Sequence, residues 1–543
     1  MRKSSAVNSF EEHPFSRSRW MNFASRLGNG FFVLSPRAPG FSHVQPMALL
    51  IALLGVTIIS GMAQNPPPAD TPSPAPSTNN APVPAPLSFG QPVTIDWRWV
   101  QGAVFVPTNA TNEAQQWDQY DPVINDRELH YAAFYGMNSV CIYLNYYVYL
   151  KKKDALLSEL EDFLTRADKY GLKTAVIFFD DCHVTPPAGI LSSDYQYPPP
   201  IYGVHNSRWV QCPGPDIKKK LAENEAKLKA YVQDVVTAHK SDPRIMFWET
   251  YNEPNKSQET RKILQDSIGW VHETGTTIPV TATGGGFPGG PYSDFISWHK
   301  YHNYSFPKQV DPLPDSLCTE CMNRQGQTVP GIIEHFKGKA GYMFWELGIG
   351  RDNCRFSWKD NPKTPSTDEP TTPFHGIIYP DGHPWALDDV KALMGADAFA
   401  KAPVFNVTYY KDDHFSTLAK TSITPMIDFD LDDEVGTGSP DASAGVPKEH
   451  FSVVWTGTIL PPATGSFTIY ADCDDAVAVS VNSQPIFHKT TPGRSEVSAA
   501  VSLTANTPVP IKIEYVHGTG RPSLHLSWSG PQMTKCILLP SKS

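Results

Sequence analysis

The sequence predicts a (β/α)8 TIM barrel followed by an all-β, sandwich-like domain, and three observations carry that expectation. Apolar strands alternate with amphipathic helices between residues 91 and 400, the pattern of a parallel sheet with helical crossovers. Eight strand candidates can be counted there, over the roughly 300 residues such a barrel needs. After about Lys401 the texture changes to short alternating strands set between turns. An open doubly wound sheet is the competing fold for the first part. It calls for a glycine-rich phosphate turn after the first strand, and that turn is absent.

The chain of 543 residues exceeds one hydrophobic core, so two domains with extensions are expected. Residues 1–63 read as an N-terminal extension whose long apolar run, 48–60, is too short for a membrane span of about 20 residues. Gly61-Met62-Ala63 follows it and suits signal-peptidase cleavage before Gln64. Arg17, Arg19, Arg26 and Arg37 precede it against only Glu11 and Glu12, as a cytoplasmic flank does. The segment is a signal peptide or an uncleaved anchor, and either one predicts a secreted, periplasmic or cell-surface protein. Residues 64–88 are rich in Pro, Ala, Ser, Thr and Asn and read as a disordered spacer. The spacer would hold the folded part away from a membrane or wall.

Residues 89–400 are assigned to the barrel and 401–543 to the β-domain. The barrel strands are expected at 102–106, 139–144, 174–180, 245–253, 279–283, 295–302, 317–320 and 342–346, with helices such as 156–170 and 218–240 between them. In the β-domain, strands are expected at 451–458, 465–471, 476–481, 510–517 and 523–528. Eight cysteines in an exported chain make disulfides permissible. Cys182 with Cys212 and Cys321 with Cys354 are loop-placed candidates, while Cys141 and Cys318 read as buried thiols. Structural zinc is not expected, since no short repeated ligand spacing occurs.

A net charge of −10 with a pI near 5.9 argues against a nucleic-acid binder. Thirteen Trp and 22 Tyr suit stacking against sugar faces, although most of them serve the core. The chemistry concentrates at two strand ends, Trp-Glu-Thr-Tyr-Asn-Glu-Pro (248–254) and Ser-Leu-Cys-Thr-Glu-Cys (316–321). Each is an apolar run that stops at an acid, as a barrel strand does when it delivers a catalytic group to its C-terminal end. Glycoside cleavage needs two such carboxyl groups. Glu253 and Glu320 are the candidates, with Glu346 at the end of the eighth strand as the competitor to Glu320. Asn252 is placed to bond a sugar hydroxyl. His299 and Tyr301 share a face of the sixth strand, Trp345 offers a floor for a sugar ring, and Asp180 with Asp181 either binds hydroxyls or caps a loop. The glycine-rich stretch 284–290 lacks a following Lys-Ser/Thr and reads as a loop rim. Lys151-Lys152-Lys153 and Lys218-Lys219-Lys220 read as solvated helix starts or faces.

These residues resemble the clan A glycoside hydrolases, especially the cellulase-like branch near family 5. The likeness runs over residues 95–395 and includes Gln116-Trp117, Asp126-Arg127-Glu128-Leu129, Gly136-Met137-Asn138, Phe179-Asp180-Asp181-Cys182, Gly203-Val204-His205-Asn206-Ser207, Cys318-Thr319-Glu320, His375-Gly376-Ile377 and Asp381-Gly382. The resemblance implies Glu253 as acid/base, Glu320 (not Glu346) as nucleophile, Asn252 as a 2-hydroxyl ligand and Trp345 as the sugar platform. One departure stands out: relatives usually carry an arginine on the second strand, where Asn138-Ser139-Val140 is here followed by Cys141. That arginine helps to hold the nucleophile ionised, so its loss raises the carboxylate's pKa unless another cation substitutes.

The C-terminal region resembles the anthrax-protective-antigen-type β-domain, through Phe451-Ser452-Val453-Val454-Trp455-Thr456-Gly457, Asp472-Cys473-Asp474-Asp475, Ile513-Glu514-Tyr515 and Leu526-Ser527-Trp528. In sugar-binding members an adjacent aspartate pair coordinates calcium. Asp474-Asp475 match that pair, with Ala476 where glycine usually follows; the competing reading is that the two acids only shape a turn. The sequence therefore points to retaining hydrolysis of a β-linked glucan, mannan or xylan, with carbohydrate as the partner and no cofactor for the chemistry. A non-catalytic glycan-binding surface protein on a decayed barrel is the alternative, and Cys141 favours it.

Overall fold

The computed structural model describes residues 95–283, 293–307, 313–431 and 438–541. The N-terminal extension, the Pro-rich spacer as far as residue 94 and the glycine-rich stretch 284–290 lie outside the described residues.

Eight strands form the first sheet: β1 (Gln101–Val104), β2 (Ser139–Tyr143), β3 (Lys173–Asp180), β4 (Ile245–Asn252), β5 (Val280–Thr283), β6 (Ile296–Lys300), β7 (Ser316–Cys321) and β8 (Gly341–Phe344). Their order is β5-β4-β3-β2-β1-β8-β7-β6, with every ladder parallel. Between β5 and β6 the ring is completed by side chains and one backbone bond. The Asp294 N–H donates to the Val280 carbonyl at 2.9 Å, Asp294 Oδ2 accepts the Val280 N–H at 2.9 Å, and the hydroxyls of Thr281 and Ser297 meet at 2.8 Å. The result is a nearly closed barrel, and each of the eight predicted strands has a counterpart in it.

Alternation along the strands divides the core. Val104, Cys141, Ala175, Ile177, Phe247, Leu317 and Met343 fill the barrel interior, while Val140, Ile142, Val176, Phe178, Trp248, Cys318 and Phe344 pack outward against the helices. The helix Tyr146–Lys169 starts on Asn145, whose side chain accepts the Tyr147 and Val148 N–H groups, and Gln258–Glu273 starts on Ser257. Lys218, expected on a solvated face, is instead buried with Asp181, because Asp181 also collects the Tyr251 hydroxyl, the Asn255 N–H and the Thr260 hydroxyl. This buried charge cluster ties down the segment that follows Glu253.

The second region is antiparallel. One sheet runs β10 (Leu418–Thr424), β9 (Phe405–Tyr410), β12 (Phe451–Ile459), β17 (Val509–His517), β14 (Ala476–Val481), β15 (Gln484–Lys489). The other runs β11 (Asp428–Asp430), β18 (Ser523–Gly530), β13 (Gly465–Asp474), β16 (Ser495–Leu503), with β19 (Met533–Ile537) paired to β18. Strict alternation buries one face of each sheet, so that Trp455, Phe467, Ile469, Ile513, Tyr515 and Leu526 share one core. A buried polar cluster joins this region to the barrel. His383 bonds Asp381 at 2.6 Å and Asp441 at 3.3 Å, Tyr409 donates to Asp381 at 2.6 Å, and Lys420 donates to Asp441 at 2.7 Å. Among the described residues no helix is long and apolar enough to cross a membrane.

The expected disulfides are not formed; all eight cysteines are free. Cys182 points its sulfur at Glu253 and Cys212 lies at the start of the Tyr146 helix, accepting the Tyr146 N–H at 3.2 Å. Cys321 faces the Met343 carbonyl and Cys354 accepts the Trp345 indole N–H, so the second pair is also directed apart.

Candidate active site

A cavity of about 660 Å³ opens at the C-terminal ends of the strands. Glu253, which follows β4, and Glu320, on β7, stand on its wall, with Asp180, Asn252, Tyr301 and Trp345 around them. One oxygen of each carboxylate and a ring nitrogen of His299 lie within 4.8 Å of one another. The backbone at Glu253 takes a left-handed φ of 42°, an unfavourable conformation for a side-chain-bearing residue, and its N–H is held by the Thr283 carbonyl at 2.6 Å. That turn swings the carboxylate out to the rim, where its side chain is 37% exposed against 6% for Glu320.

Glu320 is surrounded by donors. The Tyr143 hydroxyl donates to Oε1 at 2.8 Å, the Tyr301 hydroxyl donates to Oε2, and His299 Nδ1 lies 3.2 Å from Oε2. The same Nδ1 is 2.8 Å from Glu253 Oε1, and the Cys182 thiol reaches Glu253 Oε2 at 3.2 Å. His299 itself stands behind the acids and not on the cavity wall.

This crowding decides the charges. Burial alone favours a neutral His299, but the negative charge of Glu320, then the hydrogen bond and charge of Glu253, hold its pKa up at about 9. Burial pushes Glu253 up, yet the hydrogen bond and charge of His299 prevail and hold it at about 2. Burial keeps Glu320 above the ordinary carboxylate range, with the charge of Glu253 adding and His299 and the two tyrosines opposing. Between Glu253 and His299 the proton therefore rests on His299. His299 is thus a cation 3.2 Å from Glu320 Oε2. Beneath them Glu249 is buried, and burial raises its carboxyl to about 8.

The other expected residues are distributed as follows. Asp180 is buried, and its carboxylate accepts the Trp209 indole at 2.6 Å, the Cys182 N–H at 3.1 Å and the Asn252 amide at 3.2 Å. Asn252 keeps its Oδ1 without a partner. Trp345 packs edge-on against Tyr143 and Trp209. Glu346 is buried away from the cavity with Asp352 and Cys354, and burial pushes all three groups up. Asp474 and Asp475 join β13 to β14 in the second region. The sequence reading missed Tyr143, which shares the inward face of β2 with Cys141, and Trp358. Trp358 is 40% exposed and forms a wall of both the main cavity and a smaller one of about 290 Å³. His205 and His375 flank it, each bonded to a backbone carbonyl at 2.6 Å and held neutral by burial.

A family model described as the PA14 domain matches residues 401–542, so the C-terminal region carries a PA14 domain. Among curated proteins, the anti-sigma-I factor RsgI3 of Acetivibrio thermocellus is 33% identical over 135 residues, which is 25% of this chain and 20% of that protein. The chain therefore spans about a fifth of the length of the curated relative it matches. An anti-sigma factor domain-containing protein of known structure is 31% identical, with a TM-score of 0.24 over 26% of this chain and 47% of the other. A PA14 sugar-binding domain from an RTX adhesin shares 16% identity, with a TM-score of 0.22 over 26% of this chain and 99% of that one. A GH5_18 protein from Streptomyces cattleya, solved in complex with Manβ1-4GlcNAc, shares 9% identity, with a TM-score of 0.35 over 55% of this chain and 81% of that one.

Proposed function

We propose that the barrel is a retaining glycoside hydrolase acting on β-linked glycans, exported to the cell exterior, and that its PA14 domain binds carbohydrate. The observation that supports this best is the convergence of Glu253 and Glu320 on one open cavity, with one oxygen of each within 4.8 Å of the other. Retaining enzymes hold their carboxyl groups about 5–5.5 Å apart, whereas inverting enzymes leave room for a water at about 6.5–9.5 Å.

The proton the chemistry needs rests on His299, not on Glu253, before reaction. Transfer of one proton from His299 Nδ1 to Glu253 over their 2.8 Å hydrogen bond leaves a neutral imidazole, a protonated Glu253 and an ionised Glu320. Glu320 then attacks the anomeric carbon while Glu253 gives its proton to the departing glycosidic oxygen, forming a glycosyl ester on Glu320. Water enters, Glu253 takes one of its protons, and the hydroxide displaces Glu320. Tyr143 and Tyr301 stabilise the Glu320 anion before attack and after release. Trp345 and, farther out, Trp358 offer faces for sugar rings on the cavity wall, and Asn252 a polar contact.

A second reading, a glycan-binding barrel without catalysis, draws on Cys141 and on the ionised resting state of Glu253. A panel of aryl β-glycosides separates the two. Turnover by the wild type that is lost in both Glu253→Gln and Glu320→Gln supports hydrolysis, while equal background from all three proteins leaves only binding.

A further inference from the structure

We propose that the ammonium of Lys489 is the resident cation of a carbonyl cage beside the PA14 domain's aspartate pair, so that this domain folds without a bound metal. Lys489 ends β15 and is only 6% exposed. Its Nζ donates to the carbonyls of Gly493 at 2.8 Å, Thr491 at 2.9 Å and Cys473 at 3.3 Å, and also to the carbonyl of Asp475. These four oxygens come from the end of β13, the aspartate pair and the β15–β16 turn. A cage built only of oxygens around one point is what a hard cation such as calcium takes. Here a tethered ammonium, with three N–H donors, already fills it.

The carboxylate of Asp475 is engaged as well. Asp475 Oδ1 accepts the Gly493 N–H at 2.8 Å, and Oδ2 accepts the Gly518 N–H at 2.8 Å beside His517 Nδ1 at 3.4 Å. Asp474 retains one buried, unpartnered oxygen, Oδ1. A divalent ion in this cage would have to expel Lys489. The carbonyl cage is therefore already occupied, and Lys489 holds three chain segments together. This inference is independent of the hydrolase reading.

Thermal unfolding and calorimetric titration of the full chain test it, with calcium chloride alone as the probe and a chelator as the control. The expected result is no heat of binding and the same midpoint in millimolar calcium and in chelator. A site whose dissociation constant lay a thousandfold below the calcium supplied would instead raise the midpoint by something on the order of 10 °C. Lys489→Met, which keeps most of the stem and removes the charge, is expected to lower the midpoint equally in both buffers. Calcium stabilisation of the wild type that Asp475→Asn abolishes would overturn the proposal, as would a Lys489→Met protein that melts like the wild type. If Lys489→Met does not fold, the wild-type comparison still decides.

Discussion

Replacing His299 by glutamine removes the cation that sits between the two acids while keeping a polar side chain of similar reach. Carboxylate oxygens within 4.8 Å of each other then face one another uncompensated. At an effective dielectric of about 20, two unit charges at that separation repel by roughly 3–4 kcal/mol, or about 2–3 pKa units. Glu253 is 37% exposed, so solvent screens part of this and about 2 units is the shift to expect. In the wild type the shared proton is held while His299 stays charged and is lost as the pH rises through about 9. In His299→Gln the carboxyl pair alone must hold it, with an upper value near 6–7. The assay is the pH dependence of kcat/KM on an aryl β-glycoside, which reports the free enzyme. The alkaline limb is expected to move down by two units or more, with circular dichroism unchanged. An alkaline limb that stays in place in a folded His299→Gln protein would refute the shared-proton account.

Other perturbations follow from the same contacts. Tyr301→Phe deletes a donor to the ionised Glu320, a hydrogen bond worth about 1.5–3 kcal/mol, so kcat is expected to fall roughly 10- to 100-fold while the thermal midpoint barely moves. Trp358→Ala should raise KM about tenfold for a long glycan and leave a short aryl glycoside unaffected, because Trp358 lies on the outer wall between the two cavities. Asp441→Asn takes one carboxylate from the buried His383, which keeps Asp381, and from the half-buried Lys420, and is expected to cost about 1–3 kcal/mol, read as a lowered midpoint. The same cluster gives wild-type stability a pH dependence with two arms. Although burial opposes it, Asp381 and then Asp441 hold His383 above its ordinary value, so that contribution is present below about pH 6.5 and is lost as the pH rises through the raised value. Burial likewise opposes, but His383 and Lys420 hold Asp441 far below the usual carboxylate range, so its contribution is present above about pH 3.9 and is lost only in strong acid.

The barrel could be read from sequence because buried parallel strands are short apolar runs, and Ile245 through Trp248 is one of them. Glu253 and Glu320 stood out because an acid ending such a run is costly unless something uses it. Tyr143 was within reach of the same reasoning, since period two puts it on the face of Cys141, but a tyrosine in an apolar strand looks like core. Trp358 lies in the long segment after β8, where no periodicity indicates direction. Lys218 and Lys489 were misread or passed over for one physical reason: a lysine in a polar context looks solvated until tertiary structure brings buried oxygens around it. The disulfide candidates failed similarly, because loop placement says nothing of where a sulfur points, and Cys182 points at a carboxylate.

The stereochemistry of the first-formed product is the most direct test of the central claim. Proton NMR of the reducing sugar released from a cleaved β-glycoside, recorded before mutarotation, should show the β-anomer first, with Glu320→Gln giving no product. Initial release of the α-anomer, or turnover by Glu320→Gln equal to that of the wild type, would contradict a double displacement by Glu253 and Glu320.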